Sequence, residues 1–279
     1  MEENIQTQAL RNINLIAARQ LYIDSAARFE QLLAHPKYDA PKRLTRYGFK
    51  NYSQCDEDGL IAEIVKRLGD KCPKTFVEFG VESGIECNTL RLALQDWKGV
   101  WLEGSRQYCD AMQKTHASLI QKNRLKVQNA FITSNNINEL LAENGFTNEL
   151  GIISIDIDGN DIWIWKALKI KPAIVIIEYN STWAPPLSIA QAHKPDVMWN
   201  GTNCFGSSLN ALVKVGHEQG YNLVGCSMSG VNAFFVRADL CGDKFHAPYT
   251  AEEHYEPARY WLCHMQAGHP AAMGELVEI

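Results

Sequence analysis

Acidic residues stand at or near the ends of four short apolar runs in this sequence. Glu78 lies in Thr75-Phe76-Val77-Glu78-Phe79, and Glu103 ends Gly99-Val100-Trp101-Leu102-Glu103. Asp156 and Asp158 follow Ile153-Ser154-Ile155, and Glu178 ends Ile176-Ile177-Glu178. A carboxylate at a strand end suits three kinds of chemistry. It can take a proton from a substrate hydroxyl, hold an oxygen-preferring ion such as Mg2+, or receive the donors of a bound ligand and so position it. Adjacent parallel strands lie about 5 Å apart, so Asp156 or Asp158 is expected to face Glu178 across a cleft. Carboxylates that close repel one another unless a proton, a cation or an ammonium sits between them.

The first run continues into Gly80-Val81-Glu82-Ser83-Gly84, with two glycines four apart. Gly80 is expected to remove a Cβ that would block a ligand, and Gly84 to let the chain turn into a helix beginning near Asn88. A dinucleotide-binding turn usually reads Gly-x-Gly-x-x-Gly and sets helix-terminal amides on a pyrophosphate. Here a carboxylate occupies the strand end, which suits a ligand with an ammonium and no phosphate. S-adenosylmethionine is such a ligand. Glu103 then falls where an acid receives ribose hydroxyls, roughly 20 residues past the glycines. Gln54, in the polar turn Asn51-Tyr52-Ser53-Gln54-Cys55-Asp56-Glu57-Asp58-Gly59, is placed to reach the same ligand. The bland alternative for each acid is a surface residue capping a core strand, and for the polar turn it is a helix start.

These residues need a scaffold, and the hydrophobic periodicity predicts one. A helical pattern runs from Ile5 to about Ala34 and stops at His35-Pro36. This extension reads as a cap over the cleft, a dimerisation helix or a brace on the sheet. Beyond Glu103 the pattern predicts a helix over 106–123, a strand over 125–128, a helix over 137–144, a strand over 151–156, a helix over 162–168 and a strand over 173–178. Strands alternating with helices imply right-handed crossovers and a parallel sheet. A helix over 207–219 and two closely spaced strands, 221–225 and 231–236, are most simply a final antiparallel hairpin. The segment 181–205, with Pro185-Pro186, Trp183, Trp199 and His193, breaks the alternation at the carboxyl end of the fifth strand. It reads as a lid or substrate-recognition loop, or as packing against the N-terminal helix. His193 is a candidate base near neutral pH or a surface histidine. Asp161 suits a helix cap, and Asn232 either touches a ligand or ends a turn.

Composition narrows the function. The 279 residues are 46% hydrophobic and 21% charged, which suits one large α/β domain with attachments. A net charge of −5 and no clustered Lys and Arg argue against a nucleic-acid surface. The apolar stretches are strand-sized and the start Met1-Glu2-Glu3-Asn4 is unlike a signal peptide, so a cytoplasmic location and no membrane contact are expected. Eight cysteines without a Cys-x-x-Cys pair read as reduced, structural thiols.

In order along the chain, Glu78 to Gly84, Glu103, Ile155 to Gly159 and Ile177 to Asn180 resemble the class I S-adenosylmethionine-dependent methyltransferases, particularly the FkbM-like group. The lead-in Gln54 to Asp58 resembles that group too, and the similarity covers residues 50–237. The resemblance implies a Rossmann-like, doubly wound, seven-stranded, mostly parallel sheet with an antiparallel last strand, and methyl transfer usually to oxygen. Residue by residue, Glu78, Gly80 and Gly84 match the cofactor loop and Glu103 the ribose acid, with Ala130 in a looser match to the adenine-contacting turn; Gln54 and Asp156 are further candidates for contact with the cofactor. Asp158, Glu178 and Asn180 are similar to Mg2+ positions of sugar O-methyltransferases, although Tyr179 stands where those have a second Asp.

The expected organisation is an N-terminal helical extension over 1–50, a cofactor domain over 51–240 with the 181–205 insertion, and a tail over 241–279. The expected activity is methylation of a hydroxyl on a small acceptor, a sugar or secondary metabolite, with Asp156, Asp158, Glu178 and His193 as catalytic candidates. A homo-oligomer through the N-terminal helix is a further expectation. The rival readings are a catalytically silent S-adenosylmethionine-binding partner module and a nicotinamide-dependent oxidoreductase.

Overall fold

A computed structural model describes residues 5–195, 199–262 and 276–278. In chain order the first elements are α1 (Ile5–Leu33), α2 (Glu57–Leu68), β1 (Thr75–Phe79), α3 (Leu90–Leu94), β2 (Lys98–Glu103), α4 (Arg106–Thr115), α5 (Ala117–Gln121) and β3 (Leu125–Asn129). There follow α6 (Ile137–Glu143), β4 (Ile152–Ile155), α7 (Asp161–Ala167), β5 (Ile174–Glu178), β6 (Ile189–Gln191) and α8 (Leu209–Gln219). The last are β7 (Tyr221–Cys226), β8 (Asn232–Arg237), α9 (Ala238–Cys241), α10 (Ala251–His254) and β9 (Leu276–Glu278).

Seven strands form one sheet in the order β3-β2-β1-β4-β5-β8-β7. The first five are mutually parallel, and β8 runs antiparallel to both β5 and β7. This is the expected Rossmann-like sheet with an antiparallel close and an N-terminal helix. Its strands are buried on both faces because helices cover both sides, so they read as continuous apolar runs. Alternation along the strands sends Val77, Phe79, Ile153, Ile155, Val175 and Ile177 to one core layer, shared with α6, α7 and α8. Phe76, Trp101, Ile152, Ile174, Ile176 and Phe234 go to the other, against α2, α3 and α4.

Several boundaries differ from expectation. The helix after the glycine turn begins at Leu90 rather than near Asn88, because the Asn88 and Thr89 amides bond to Glu78 instead of to a helical turn. The single helix predicted over 106–123 is two, α4 and α5, interrupted at His116. There the buried His116 ring packs edge-on against Trp101 at 5.1 Å. The insertion is not wholly irregular: β6 pairs antiparallel with β9, a partner too distant in sequence for periodicity to register. The carboxyl-terminal part of α1 meets the body, where Ser25 Oγ donates to the Trp261 carbonyl. Further along it, Leu10, Ile13, Ile16 and Ile23 are exposed. Seven cysteines are free and buried, and Cys263 lies outside the described residues. Among the described residues no helix is long and apolar enough to cross a membrane.

Candidate active site

Strand register builds the site. Trp101, Glu78, Ser154, Ile176 and Phe234 are mutual neighbours across β2, β1, β4, β5 and β8. Two residues further along each parallel strand, on the same face by alternation, the next rung reads Glu103, Gly80, Asp156 and Glu178, with Asn232 opposite Glu178 on β8. The lower rung is closed and the upper one lies at the carboxyl edge, where open α/β sheets bind ligands.

The lower rung is a sealed network. Glu78 is 3% exposed and its carboxylate accepts from Asn88 N at 2.8 Å, Thr89 N at 3.0 Å, Thr89 Oγ1 at 2.6 Å and Ser154 Oγ at 3.2 Å. Trp101 Nε1 in turn donates to Thr89 Oγ1 at 2.8 Å. Burial raises the Glu78 pKa, and the Thr89 and Asn88 donors oppose that rise. Glu78 therefore anchors the turn between β1 and α3 from beneath. The glycines also differ in their reason from the expectation. At Gly80 (φ +65°) a Cβ would stand 1.8 Å from the Asp156 carbonyl oxygen, so it is the main chain of β4, closing on β1, that excludes a side chain. At Gly84 (φ +68°) a Cβ would meet Trp101 and Met112.

The upper rung is acidic and poorly supplied with donors. Glu103 accepts from Glu82 N at 3.0 Å and Ser105 N at 2.7 Å, which fixes its carboxylate at the strand end. Asp156, Asp158 and Glu178 converge, with one oxygen of each within 4.8 Å of the others. Among the described residues no ion pair reaches Glu82, Glu103, Asp156 or Glu178, and the buried Glu178 Oε2 has no hydrogen-bond partner. Burial, then Asp158, Asp161 and Glu78, hold the Asp156 pKa well above the carboxylate range. Burial, then Asp156, do the same at Glu178. Asp161 serves as a clamp: its oxygens accept from Ile157 N at 2.8 Å and Gly159 N at 2.9 Å, and burial lifts its pKa to about 6. The clamp holds Asp158 at φ +55°, a left-handed conformation of the kind that gathers at functional sites.

Glu82 was not singled out by sequence. It lies between the two glycines at φ +47°, and burial followed by the nearby Asp158 and Glu103 raises its pKa. It closes the acidic rim from the β1 side. Only its place between two glycines hinted at this; the strained φ is a tertiary outcome.

The polar lead-in sits against the same turn, since Cys87 N donates to the Tyr52 carbonyl at 2.9 Å. Gln54 Oε1 is buried without a partner there. Asn232 Nδ2 donates to Glu57 Oε1 at 3.3 Å, while Asn232 Oδ1 is a third buried acceptor lacking a donor. On the far side, Ala130 N donates to the Glu103 carbonyl at 2.9 Å, and the exposed Phe131 stands beside Gly104. His193 is placed here: its Nε2 is 3.2 Å from Ser134 Oγ and its ring is 5.5 Å from that of Trp163. Asn180 is fully committed elsewhere. Its Nδ2 donates to the Asn203 and Phe205 carbonyls, and its Oδ1 accepts from Thr182. The oxygens that converge are thus Asp156, Asp158 and Glu178, with Asn180 outside the set.

No family model matches the chain, and no curated protein matches it. Solved structures similar to it include the N-terminal domain of EvdMO1 with SAH bound, at 12% identity over 75% of this chain and 92% of that one, TM-score 0.42. Another is the O-methyltransferase from Bacillus cereus in complex with SAH, at 16% identity over 58% and 66%, TM-score 0.33. A third is the StiE O-MT, at 9% identity over 60% and 53%, TM-score 0.35. The chain spans about half to two thirds of the StiE and Bacillus cereus chains. Likeness at this level carries no statement about substrate or chemistry, which rest on the site itself.

Proposed function

We propose that this chain is an S-adenosylmethionine-dependent methyltransferase that acts on a hydroxyl of a small acceptor such as a sugar or secondary metabolite. The observation that carries the reading is the upper rung, Glu103-Gly80-Asp156-Glu178-Asn232, an acidic shelf with buried acceptors and, among the described residues, no cation paired to its carboxylates. Such a shelf is complementary to a cationic ligand rich in donors. S-adenosylmethionine supplies an electrophilic methyl group on a positively charged sulfonium.

The residues divide the work by position. Glu103 receives ribose hydroxyls at the end of β2. The turn at Ala130 and Phe131 borders the adenine, with His193 and Trp163 closing that side rather than serving as the base. Gln54 Oε1 accepts ligand N–H donors beside the glycine turn. Asp156 or Glu178, whose raised pKa values make them stronger bases than ordinary carboxylates, would take the acceptor's hydroxyl proton as the acceptor oxygen bonds to the methyl carbon and the sulfonium S–CH3 bond breaks, the sulfur leaving as a neutral thioether. Most of the rate enhancement then comes from alignment of acceptor and donor.

The convergence of Asp156, Asp158 and Glu178 within 4.8 Å also supports a second reading, a divalent cation held there to orient the acceptor oxygen. Isothermal titration of S-adenosylmethionine and its demethylated product, with and without Mg2+, tests both. Micromolar binding that is lost in Glu103→Ala is expected, and absence of binding at millimolar ligand would sink the proposal. Heat from Mg2+ alone, abolished by Asp158→Asn, distinguishes the metal reading. A silent binding module would keep its cellular function in Asp156→Asn and Glu178→Gln. Quenching or enhancement of nicotinamide fluorescence on titration would favour the oxidoreductase.

A further inference from the structure

A cavity of about 720 Å³ lies between α1 and the segment after α10, lined among others by Leu21, Arg28, Leu32, Lys37, Arg259 and Trp261. Its size is that of a small-molecule pocket. Its floor is built around Glu256, which is 1% exposed and takes Lys37 Nζ at 2.7 Å, Tyr38 OH at 2.7 Å and Arg259 Nη1 at 2.8 Å. The two cations on that floor outnumber the single carboxylate. Arg28 adds a third; it reaches only the neutral Gln31 Oε1, at 3.4 Å, and has no acidic partner among the described residues. Asp24 is the acid in the lining itself and Glu256 lies beneath it, so Arg28, Lys37 and Arg259 against these two carboxylates leave one positive charge in excess beside an apolar wall.

The floor is tied to the edge that carries the shelf. Tyr179, next to Glu178, donates its hydroxyl to the Glu256 carbonyl at 2.6 Å. Tyr255 OH donates to the Ser181 carbonyl at 2.5 Å, where the insertion leaves β5. Arg259 Nη1 also donates to the Met228 carbonyl at 2.8 Å. An anionic shelf and a cationic, apolar cavity thus share one end of the sheet.

We infer that this cavity binds the acceptor, and that the acceptor is an amphipathic anion with an apolar or aromatic body and a single anionic group, a carboxylate or a phosphate. The apolar body lies against Leu21, Leu32 and Trp261, and the anion meets Arg28 with Lys37 and Arg259 behind it. The acceptor role rests on the methyltransferase reading; the binding of an amphipathic anion does not.

The test uses 8-anilinonaphthalene-1-sulfonate, a fluorescent amphipathic monoanion, titrated into the full chain. One site is expected, weakened about tenfold or more by Arg28→Glu and weakened by Trp261→Ala, with circular dichroism confirming that both variants are folded. Naphthalene-2-carboxylate or naphthyl phosphate should displace the dye and neutral 2-naphthol should not; the better displacer identifies which anion the cavity prefers. Unchanged dye affinity in Arg28→Glu, or displacement by 2-naphthol as effective as by the anions, would overturn the inference. So would loss of the dye in the double variant Ile13→Asp with Ile16→Asp, which would place it on the exposed face of α1. Cofactor titration separates the two proposals. Dye binding as expected without S-adenosylmethionine binding overturns the acceptor role, whereas cofactor binding with Arg28-independent dye overturns the cavity alone.

Discussion

Two groups of acids meet at one end of this sheet, and the fold treats them in opposite ways. In the lead-in, Asp58 Oδ2 accepts from the amides of Asn51, Tyr52 and Ser53 and from Ser53 Oγ at 2.7 to 2.9 Å. Asp56 accepts from Met228 N, and Glu57 from Cys55 N and Asn232 Nδ2. On the shelf, no hydrogen bond reaches Glu178 Oε2, and Asp156 faces Asp158 and Glu178. Both groups are acidic, but the lead-in acids are buried, whereas on the shelf Asp156 and Glu178 are half-buried and Asp158 is exposed. What separates them is the supply of donors, and it differs in degree: the lead-in acids collect main-chain N–H groups although Asp58 Oδ1 is itself buried without a partner, while on the shelf Glu103 holds two such amides and Glu178 Oε2 holds none.

The predictions sharpen that contrast. The largest effect is expected at Gly80→Ala, where the new Cβ collides with the Asp156 carbonyl at 1.8 Å and the backbone is left-handed. A loss of about 4 kcal/mol is expected, read from the urea midpoint. Asp58→Ala comes next. It strands four donors in the lead-in and should cost about 3 kcal/mol, with Asp58→Asn recovering part of it; an unchanged midpoint would erase the distinction between the two groups. Glu178→Gln should run the other way. Removing a half-buried carboxylate whose Oε2 has no partner should raise stability by about 1 kcal/mol at pH 8, while S-adenosylmethionine affinity falls.

The pH dependence follows from the same groups. Asp156 and Glu178 have folded pKa values raised above the unfolded range near 4, and Asp161 is raised to about 6. The folded state therefore keeps protons that the unfolded chain releases. Their contribution is fully present below about pH 4 and is lost as pH rises through the folded values. Glu253 and Asp239, both lowered, act with the opposite sign. The melting temperature of the ligand-free protein should fall between pH 5 and pH 8, with a shallower slope in Glu178→Gln. Affinity for the cationic cofactor should climb over the same window, because binding replaces those protons. The smallest effect is expected at His193→Ala. The side chain is exposed and bonded to Ser134, so stability should change by less than about 0.5 kcal/mol, and a pH–rate profile that loses its lower limb would restore His193 as the base.

The alternation of strand and helix along the main sheet, its antiparallel close and an acid at or near the end of four strands are legible in the sequence, whereas the β6–β9 pair and the break between α4 and α5 are not. Apolar period and turn residues are local properties, and the chain alternates strand and helix without ambiguity up to β5. An Asp, 156 or 158, facing Glu178 followed from the same reading, since register on neighbouring parallel strands is set by two apolar runs that must be buried together. Glu78, Asn180, Glu82 and His193 were not legible in this way. Each acid, amide or imidazole carries the same chemistry wherever it lies, and only packing decides which partners reach it. Asn88, Thr89 and Ser154 close on Glu78, while the Asn203 and Phe205 carbonyls consume Asn180. Residue type and spacing determined by themselves that a charged edge would form. The tertiary structure alone decided which of its carboxylates are satisfied, because the path of each loop sets which donors point at an acid, whether they lie a few residues away as at Asp58 or across the sheet as Ser154 does from Glu78.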